Sequence, residues 1–167
     1  GMLDSVAYFS QKYQVFDDVF KYDQPTTKVE TLYDLRQQNW GIVEQEGGVG
    51  VAPADLPVNF MDNHDVGRFL YDADRVGIED TEAALESAMV FLFTTQGVPV
   101  LYYGTEQGFD GGNDPANREP LWWSDYDTDH ELFQFTAELI QLRKDLAPLR
   151  RGDMVFTWTT DHTGSEE

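Results

Sequence analysis

The sequence contains no cysteine, only three histidines and few basic side chains. Without cysteine the chain can form no disulfide and use no thiolate, but the compartment stays open because many secreted proteins also lack disulfides. The 11 Lys and Arg residues stand against 31 Asp and Glu residues, which gives a formal net charge of −20. Such a surface repels polyanions, so we expect no nucleic-acid partner.

Long apolar runs are missing as well. The longest, Ala88–Phe93, is far shorter than the roughly 20 residues that a bilayer span requires, so we expect no membrane partner. Gly1–Asp4 has no basic region followed by an apolar core, and therefore does not resemble a targeting segment. The acidity suits a secreted or extracellular protein that acts on a neutral substrate, although a hydrated acidic surface without a functional role fits equally well.

What the sequence does contain is core-forming material, with 41% hydrophobic and 14% aromatic residues. Hydrophobic periodicity alternates between strand-like and helix-like segments, which predicts an α/β fold. Capping boxes at Thr27/Glu30 and Thr128/Glu131 predict the starts of two helices. The predicted helices lie around Tyr13–Phe20 and over Thr27–Trp40, Thr81–Gln96 and Thr128–Leu146.

Four apolar segments are predicted to be strands: the short run that opens Met2–Phe9, and Val58–Met61, Val98–Tyr103 and Met154–Trp158. The third is apolar on both faces, as is typical of a parallel strand that is buried on both sides. A parallel sheet is therefore expected.

Two polar clusters follow these strands directly. Asp62–Asp65 and Gly104–Arg118 each come after a buried strand and before a helix, where barrels and open parallel sheets place their active sites. Spacing alone leaves a structural alternative open, in which Asp65 caps the next helix and His64 satisfies a backbone carbonyl.

Four segments carry a resemblance to a known family. Phe60–Asp65 resembles the fourth signature region, Phe-x-x-Asn-His-Asp, of the α-amylase family of retaining glycoside hydrolases (glycoside hydrolase family 13). Gly97–Glu106 is similar to the eighth barrel strand and its exit, and Gly111–Glu119 is similar to a loop of fungal-type α-amylases. Gly1–Phe9 resembles the sixth strand and the start of its helix, so the likeness covers about residues 1–150.

The resemblance implies a partial (β/α)8 TIM barrel. Strands six to eight with their helices would occupy residues 1–150, and residues 151–167 would begin a C-terminal β domain. A complete barrel takes about 250 residues. The sequence shows no recognisable end at Gly164–Glu167, and we expect the chain to be one segment of a longer enzyme.

The resemblance also implies roles for four residues. Asp65 matches the catalytic aspartate that holds sugar hydroxyls as the ring distorts, and His64 matches the histidine that binds the same sugar. Asp114 and Arg118 match residues that bind glucosyl units on the non-reducing side of the cut. Arg68 is interpreted as structural. Several aromatic side chains could stack on sugars or fill the core, and this is left open: Tyr8, Tyr102, Tyr103, Trp122 and Trp123.

The family's nucleophilic aspartate and its acid/base glutamate are missing. No Gly-x-Arg-x-Asp pattern occurs, and Glu106 lies at the exit of the eighth strand instead of in the acid/base context. The isolated chain is therefore expected to be catalytically inactive. A structural calcium is typical of the family, but its usual ligands lie upstream, so no metal ligand and no cofactor is expected in this segment.

The resemblance implies a fragment of an enzyme that cleaves internal α-1,4-glucosidic bonds of starch or related α-glucans with retention. Its expected partners are the α-glucan substrate and the remainder of the barrel. Two alternatives share the motifs: a family member that acts on short α-glucosides or transfers glucosyl units, and a noncatalytic carbohydrate-binding or transporter-accessory relative. A lone carbohydrate-binding module is a third alternative.

Overall fold

The computed structural model describes residues 5–162. The described chain forms two compact units, the first built from residues 5–60, 96–100 and 153–162 and the second from residues 61–95 and 101–152. The N-terminal part of the predicted first strand, Met2–Asp4, and the final segment Gly164–Glu167 lie outside the described residues.

The first unit contains a short parallel sheet. Strand β1 (Val58–Asn59) pairs with β2 (Val98–Pro99) in the register Val58↔Val98, and Ala7 forms a parallel bridge to Val58. The predicted parallel sheet is confirmed. Helices α3 (Phe69–Arg75) and α4 (Thr81–Thr94) lie between the two strands in the sequence, as a parallel crossover requires.

The predicted strands are longer than the observed ones. The strand predicted over Val58–Met61 is limited to β1, and in the described part of Met2–Phe9 only Ala7 forms a strand contact. The strand predicted over Val98–Tyr103 is limited to β2, and Val98 and Val100 are each 43% exposed instead of buried on both sides. Segment 154–158 is not a strand, because it forms no backbone ladder with another described segment. It packs by side chains, with the Phe156 ring centroid 5.8 Å from that of Tyr33.

The helix predicted over Thr27–Trp40 is confirmed, whereas the helix predicted around Tyr13–Phe20 begins earlier, at Phe9, ends at Asp17 and leaves Tyr13 49% exposed. Helix α1 (Phe9–Gln11) continues into a π-helical segment, Lys12–Asp17, and α2 spans Thr27–Trp40. A 3-10 turn, Pro53–Asp55, packs against α2. The apolar core of these elements consists of Val15, Phe16, Val29, Leu32, Tyr33 and Ala54.

The second unit is built on α4. This helix buries Leu85, Ala88, Met89 and Leu92 completely, and it packs against both α3 and α5 (Glu131–Asp145). Two 3-10 turns, Thr105–Gln107 and Leu121–Ser124, shape the long loop between β2 and α5, and the short helix α6 (Pro148–Arg151) follows α5. No described helix is long and apolar enough to cross a bilayer.

Candidate functional site

The segment after β1 projects two polar side chains into solvent. The Asn63 side-chain oxygen accepts a hydrogen bond from the Asp65 backbone N–H at 2.7 Å, which turns the chain sharply at this point. The side chains of His64 and Asp65 are 60% and 59% exposed, and His64 Nε2 lies 3.4 Å from Asp65 Oδ1. Both are therefore available to a ligand.

Asp62, and not Asp65, supports the following helix. The buried Asp62 Oδ2 accepts from the Phe69 backbone N–H at the start of α3 (3.2 Å), and both carboxylate oxygens lie 3.2 Å from Thr105 Oγ1. The structural alternative for Asp65 is therefore wrong. The Asp65 side chain is instead exposed at the turn.

Arg118 connects the predicted loop residue Asp114 to the segment that bears His64. Its Nε lies 2.7 Å from Asp114 Oδ1, and its Nη2 donates to the His64 backbone carbonyl at 3.2 Å. Asp114 and Arg118 are themselves about half exposed. The structure thus brings together the backbone of His64 and the side chains of the Asp114–Arg118 loop, although they are some fifty residues apart in sequence.

Asn117 provides a second tie between the two segments. Its side chain is completely buried, and Nδ2 donates to the carbonyls of Asn63 (3.1 Å) and Val66 (2.6 Å). Sequence reasoning did not single out this residue. Nothing local distinguishes a buried amide from the exposed polar residues around it, because both acceptors belong to a remote segment.

Arg68 agrees with its structural interpretation. The side chain is completely buried, and its Cζ lies 4.2 Å from the ring centroid of Tyr102 and 5.1 Å from that of Tyr103. Burial, followed by the hydrogen bond and the electrostatic influence of Tyr103, raises the pKa of Tyr102 to about 12, although the guanidinium groups of Arg68 and Arg118 oppose the rise. The neutral phenol of Tyr102 is therefore held beside the site.

The other aromatic candidates, Tyr8, Trp122 and Trp123, differ in their exposure and contacts. Tyr8 packs edge-on against Trp40, 5.2 Å between ring centroids, which is a packing role. Trp122 and Trp123 are 63% and 68% exposed in the 3-10 turn that follows Arg118.

Within residues 5–162, no group of three or more His, Asp or Glu side chains is arranged to hold a metal ion. The exposed side chains of His64, Asp65, Asp114 and Arg118 are hydrogen-bonding groups: two carboxylates, an imidazole and a guanidinium. Such a set suits the recognition of hydroxyl groups, because carboxylates accept hydrogen bonds and a guanidinium donates them.

Comparison with known proteins identifies the family. Residues 12–128 match the family model of the α-amylase catalytic domain. The chain is 35% identical over 161 residues to a β/α-amylase of Paenibacillus polymyxa, covering 95% of this chain and 12% of that protein. It is 32% identical over 128 residues to a cyclomaltodextrinase of a Bacillus species, covering 77% of this chain and 22% of that protein.

Solved structures agree with the sequence matches. An α-amylase from Anoxybacillus superposes with a TM-score of 0.78 at 29% identity, covering 95% of this chain and 32% of the solved one. The structural neighbours are TIM-barrel proteins, and the chain spans about a third or less of the proteins it matches. This chain therefore belongs to the α-amylase catalytic-domain family of glycoside hydrolases.

Proposed function

We propose that the chain is the C-terminal part of the catalytic barrel of a retaining enzyme that cleaves internal α-1,4-glucosidic bonds of starch or related α-glucans. The single observation that supports this best is the placement of Arg118, which joins Asp114 to the His64 backbone. On this basis we infer that the four predicted site residues share one surface. Ala7, β1 and β2 would be parts of strands six, seven and eight, and residues 151–167 would begin the next domain.

Asp65 has the chemistry of a transition-state stabiliser. Retaining hydrolysis uses a nucleophilic carboxylate and a carboxylic acid about 5 Å apart, and the sugar passes through an oxocarbenium-like state. An exposed third carboxylate can accept hydrogen bonds from sugar hydroxyls that strengthen as the ring flattens and gains charge. The contact between His64 Nε2 and Asp65 Oδ1 (3.4 Å) places a donor beside that acceptor.

Asp114 and Arg118 would bind a neighbouring glucosyl unit. The guanidinium of Arg118 already orients one carboxylate oxygen of Asp114 at 2.7 Å, and it retains further N–H groups that can donate to hydroxyls. The second carboxylate oxygen of Asp114 can accept from the same sugar. This pairing would fix the glucan chain so that the scissile bond lies at Asp65.

The nucleophile and the acid/base would come from polypeptide outside this sequence. Two features support the proposal that the remainder of a barrel is the partner of this chain. The sequence predicts that the strand beginning at Val98 is buried on both faces, but Val98 and Val100 are each 43% exposed in this chain. The chain also covers only 32% of the Anoxybacillus α-amylase. The isolated 167-residue chain should therefore be inactive.

Other properties of the whole enzyme are proposed on the same basis. Any structural calcium would be held by upstream residues, and the segment itself would bind no cofactor. The net charge of −20 suits an extracellular enzyme with a neutral polysaccharide substrate and no nucleic-acid or membrane partner.

The experiment is to express the full-length protein and the Asp65→Asn variant and to measure reducing ends released from amylose. The variant should lose about 10²- to 10³-fold in kcat, as expected when one transition-state contact is removed. Asp74→Asn, the same chemical change on an exposed position of α3, is the matched control and should leave kcat unchanged. Equal rates for the Asp65 variant and the wild type would refute the proposal.

A second candidate function is favoured by one finding, namely the match to a cyclomaltodextrinase. A family member that prefers short or cyclic glucosides, or one that transfers glucosyl units, would share this surface. Product analysis on amylose and on maltose separates the two functions, because an internal-cleaving enzyme releases mixed oligosaccharides from amylose and leaves maltose largely intact. A full-length protein that binds maltoheptaose but hydrolyses neither substrate would be the noncatalytic relative.

A further inference from the structure

Arg68 and Glu119 form a buried ion pair next to the proposed sugar-binding surface. Arg68 Nε lies 3.1 Å from Glu119 Oε2, with the arginine side chain completely buried and that of Glu119 11% exposed. Arg68 Nη1 also donates to the Tyr103 carbonyl at 2.6 Å. A guanidinium can hold these two acceptors together because its N–H groups form a rigid planar fork.

The pair closes the loop that carries Asp114 and Arg118. Glu119 Oε1 accepts from the Gly111 backbone N–H at 2.6 Å, and the Gly111 carbonyl accepts from the Arg68 backbone N–H at 3.0 Å. The two ends of segment 111–119 are therefore joined to each other and to the residue that precedes α3.

Gly111 has no room for a side chain at this junction. A Cβ there would overlap the Ala116 carbonyl oxygen and would lie 2.5 Å from Glu119 Oε1. The close approach of Gly111 to Glu119 thus depends on glycine. Gly112 is also close-packed, since a Cβ on it would meet the Tyr71 ring at 2.9 Å.

We propose that Arg68 and Glu119 are positioning residues that set where Asp114 and Arg118 stand relative to His64 and Asp65. This inference rests on the proposed function of those four residues. Arg68 follows Asp65 by three residues and is anchored to Tyr103, so its position is tied to the segment that bears Asp65. Through Glu119 and Gly111 the same side chain fixes the loop that bears Asp114.

The ion pair is better suited to positioning than to stability alone. Buried ion pairs gain little net stability because desolvation offsets their attraction, whereas their contacts require a strict geometry. Replacing Arg68 by lysine keeps the charge but cannot reproduce the fork, so the Glu119 contact and the Tyr103 contact should no longer be made together.

The test is a double-mutant cycle in the full-length enzyme with maltoheptaose. Arg68→Lys should raise KM by about 10-fold, within the 10²-fold that a misplacement of about 1 Å can cost, with kcat changed by less than about twofold. Asp114→Ala removes one of the two sugar-binding residues of the loop and the ion pair that orients the other, Arg118. If Arg68 acts through that loop, Arg68→Lys should lose much of its effect on KM in the Asp114→Ala background.

Two results would each overturn one of the proposals, and a control variant accounts for general destabilisation. Additive effects of Arg68→Lys and Asp114→Ala on KM would overturn the positioning role while leaving the proposed function intact. If Asp65→Asn and Asp114→Ala are themselves silent, the proposed function fails instead. Leu92→Ala, a buried change in α4, controls for general destabilisation and should lower the Tm without raising KM.

Glu119→Gln provides a second variant if Arg68→Lys does not fold. Glutamine keeps one oxygen for the Gly111 N–H but faces Arg68 with an amide, so the same rise in KM and the same loss of effect in the Asp114→Ala background are expected. Failure of both variants to fold would assign the pair to stability of the fold and overturn the inference.

Discussion

At the level of single residues, the site depends on a few buried polar side chains that hold exposed ones in place. Asn117 and Asp62 make their contacts inside the second unit, and His64 and Asp65 reach solvent as a consequence. The exposed residues could be predicted from the sequence because they belong to a recognisable motif. The contacts of Asn117, and that of Asp62 with Thr105, could not, because they join segments more than forty residues apart in the chain. The Asp62 contact with Phe69 is local, seven residues along the chain.

Asn117 provides a stability prediction. Asn117→Ala leaves the carbonyls of Asn63 and Val66 without this donor, and an unsatisfied buried polar group costs about 1–3 kcal/mol. Urea denaturation of the full-length protein should show that loss, together with weaker binding of maltoheptaose. Asn113→Ala, an exposed change in the same loop, should leave the midpoint unaltered. An unchanged midpoint for Asn117→Ala would contradict the role given to its amide.

Tyr102 provides a prediction at alkaline pH. Burial above all raises its pKa from 10.0 to about 12 in the folded protein, so its contribution to stability is complete below pH 10 and is lost as the pH rises through about 12. Between these values the unfolded chain ionises first, which favours unfolding. Tyr102→Phe should therefore flatten the fall in stability from pH 10 upward, as measured by denaturant midpoints. An identical fall in both proteins would contradict the assignment.

At the level of helices and strands, helices were predicted better than strands. The apolar periodicity of α4 and α5 is local, so it located both helices within a few residues. The capping boxes were wrong, because both threonines are displaced from the cap position. Thr27 is already the first residue of α2, and the side chain that accepts at the start of α5 is His130, whose Nδ1 lies 3.3 Å from the Leu132 backbone nitrogen.

Strand lengths could not be predicted from the chain alone. A strand exists only where a neighbour supplies hydrogen bonds, and β1 and β2 pair over two residues. The same reason explains residues 154–158. Their apolar pattern is typical of a strand, but no second segment within residues 5–162 forms a ladder with them.

The N-cap of α4 provides a stability prediction for a helix. Asp80 Oδ1 accepts from the Ala83 backbone N–H at 3.0 Å, and loss of such a cap costs about 1 kcal/mol. Asp80→Ala should lower stability by that amount in thermal denaturation, and Asp80→Ser should restore most of it. The neighbouring exposed change Glu79→Ala should have little effect. A larger loss for Glu79→Ala than for Asp80→Ala would show that this cap is not what begins the helix.

For the molecule as a whole, we predict that the chain needs further polypeptide to work. A two-stranded sheet leaves strand edges and apolar faces that a complete barrel would cover, and Val98, Val100 and Phe9 are among the exposed side chains. The purified 167-residue chain should release no reducing ends from amylose, whereas the full-length protein should. Hydrolysis by the isolated chain at an enzyme-like rate would show that the nucleophile and the acid lie within it.

The proposed function requires that His64, Asp65, Asp114 and Arg118 form one sugar-binding surface. A crystal structure of the full-length Asp65→Asn variant with maltoheptaose tests this requirement. We predict one glucosyl unit hydrogen-bonded at His64 and position 65, and the next unit towards the non-reducing end at Asp114 and Arg118. Maltoheptaose bound in the barrel cleft without contacting these four positions would show that they do not bind the substrate.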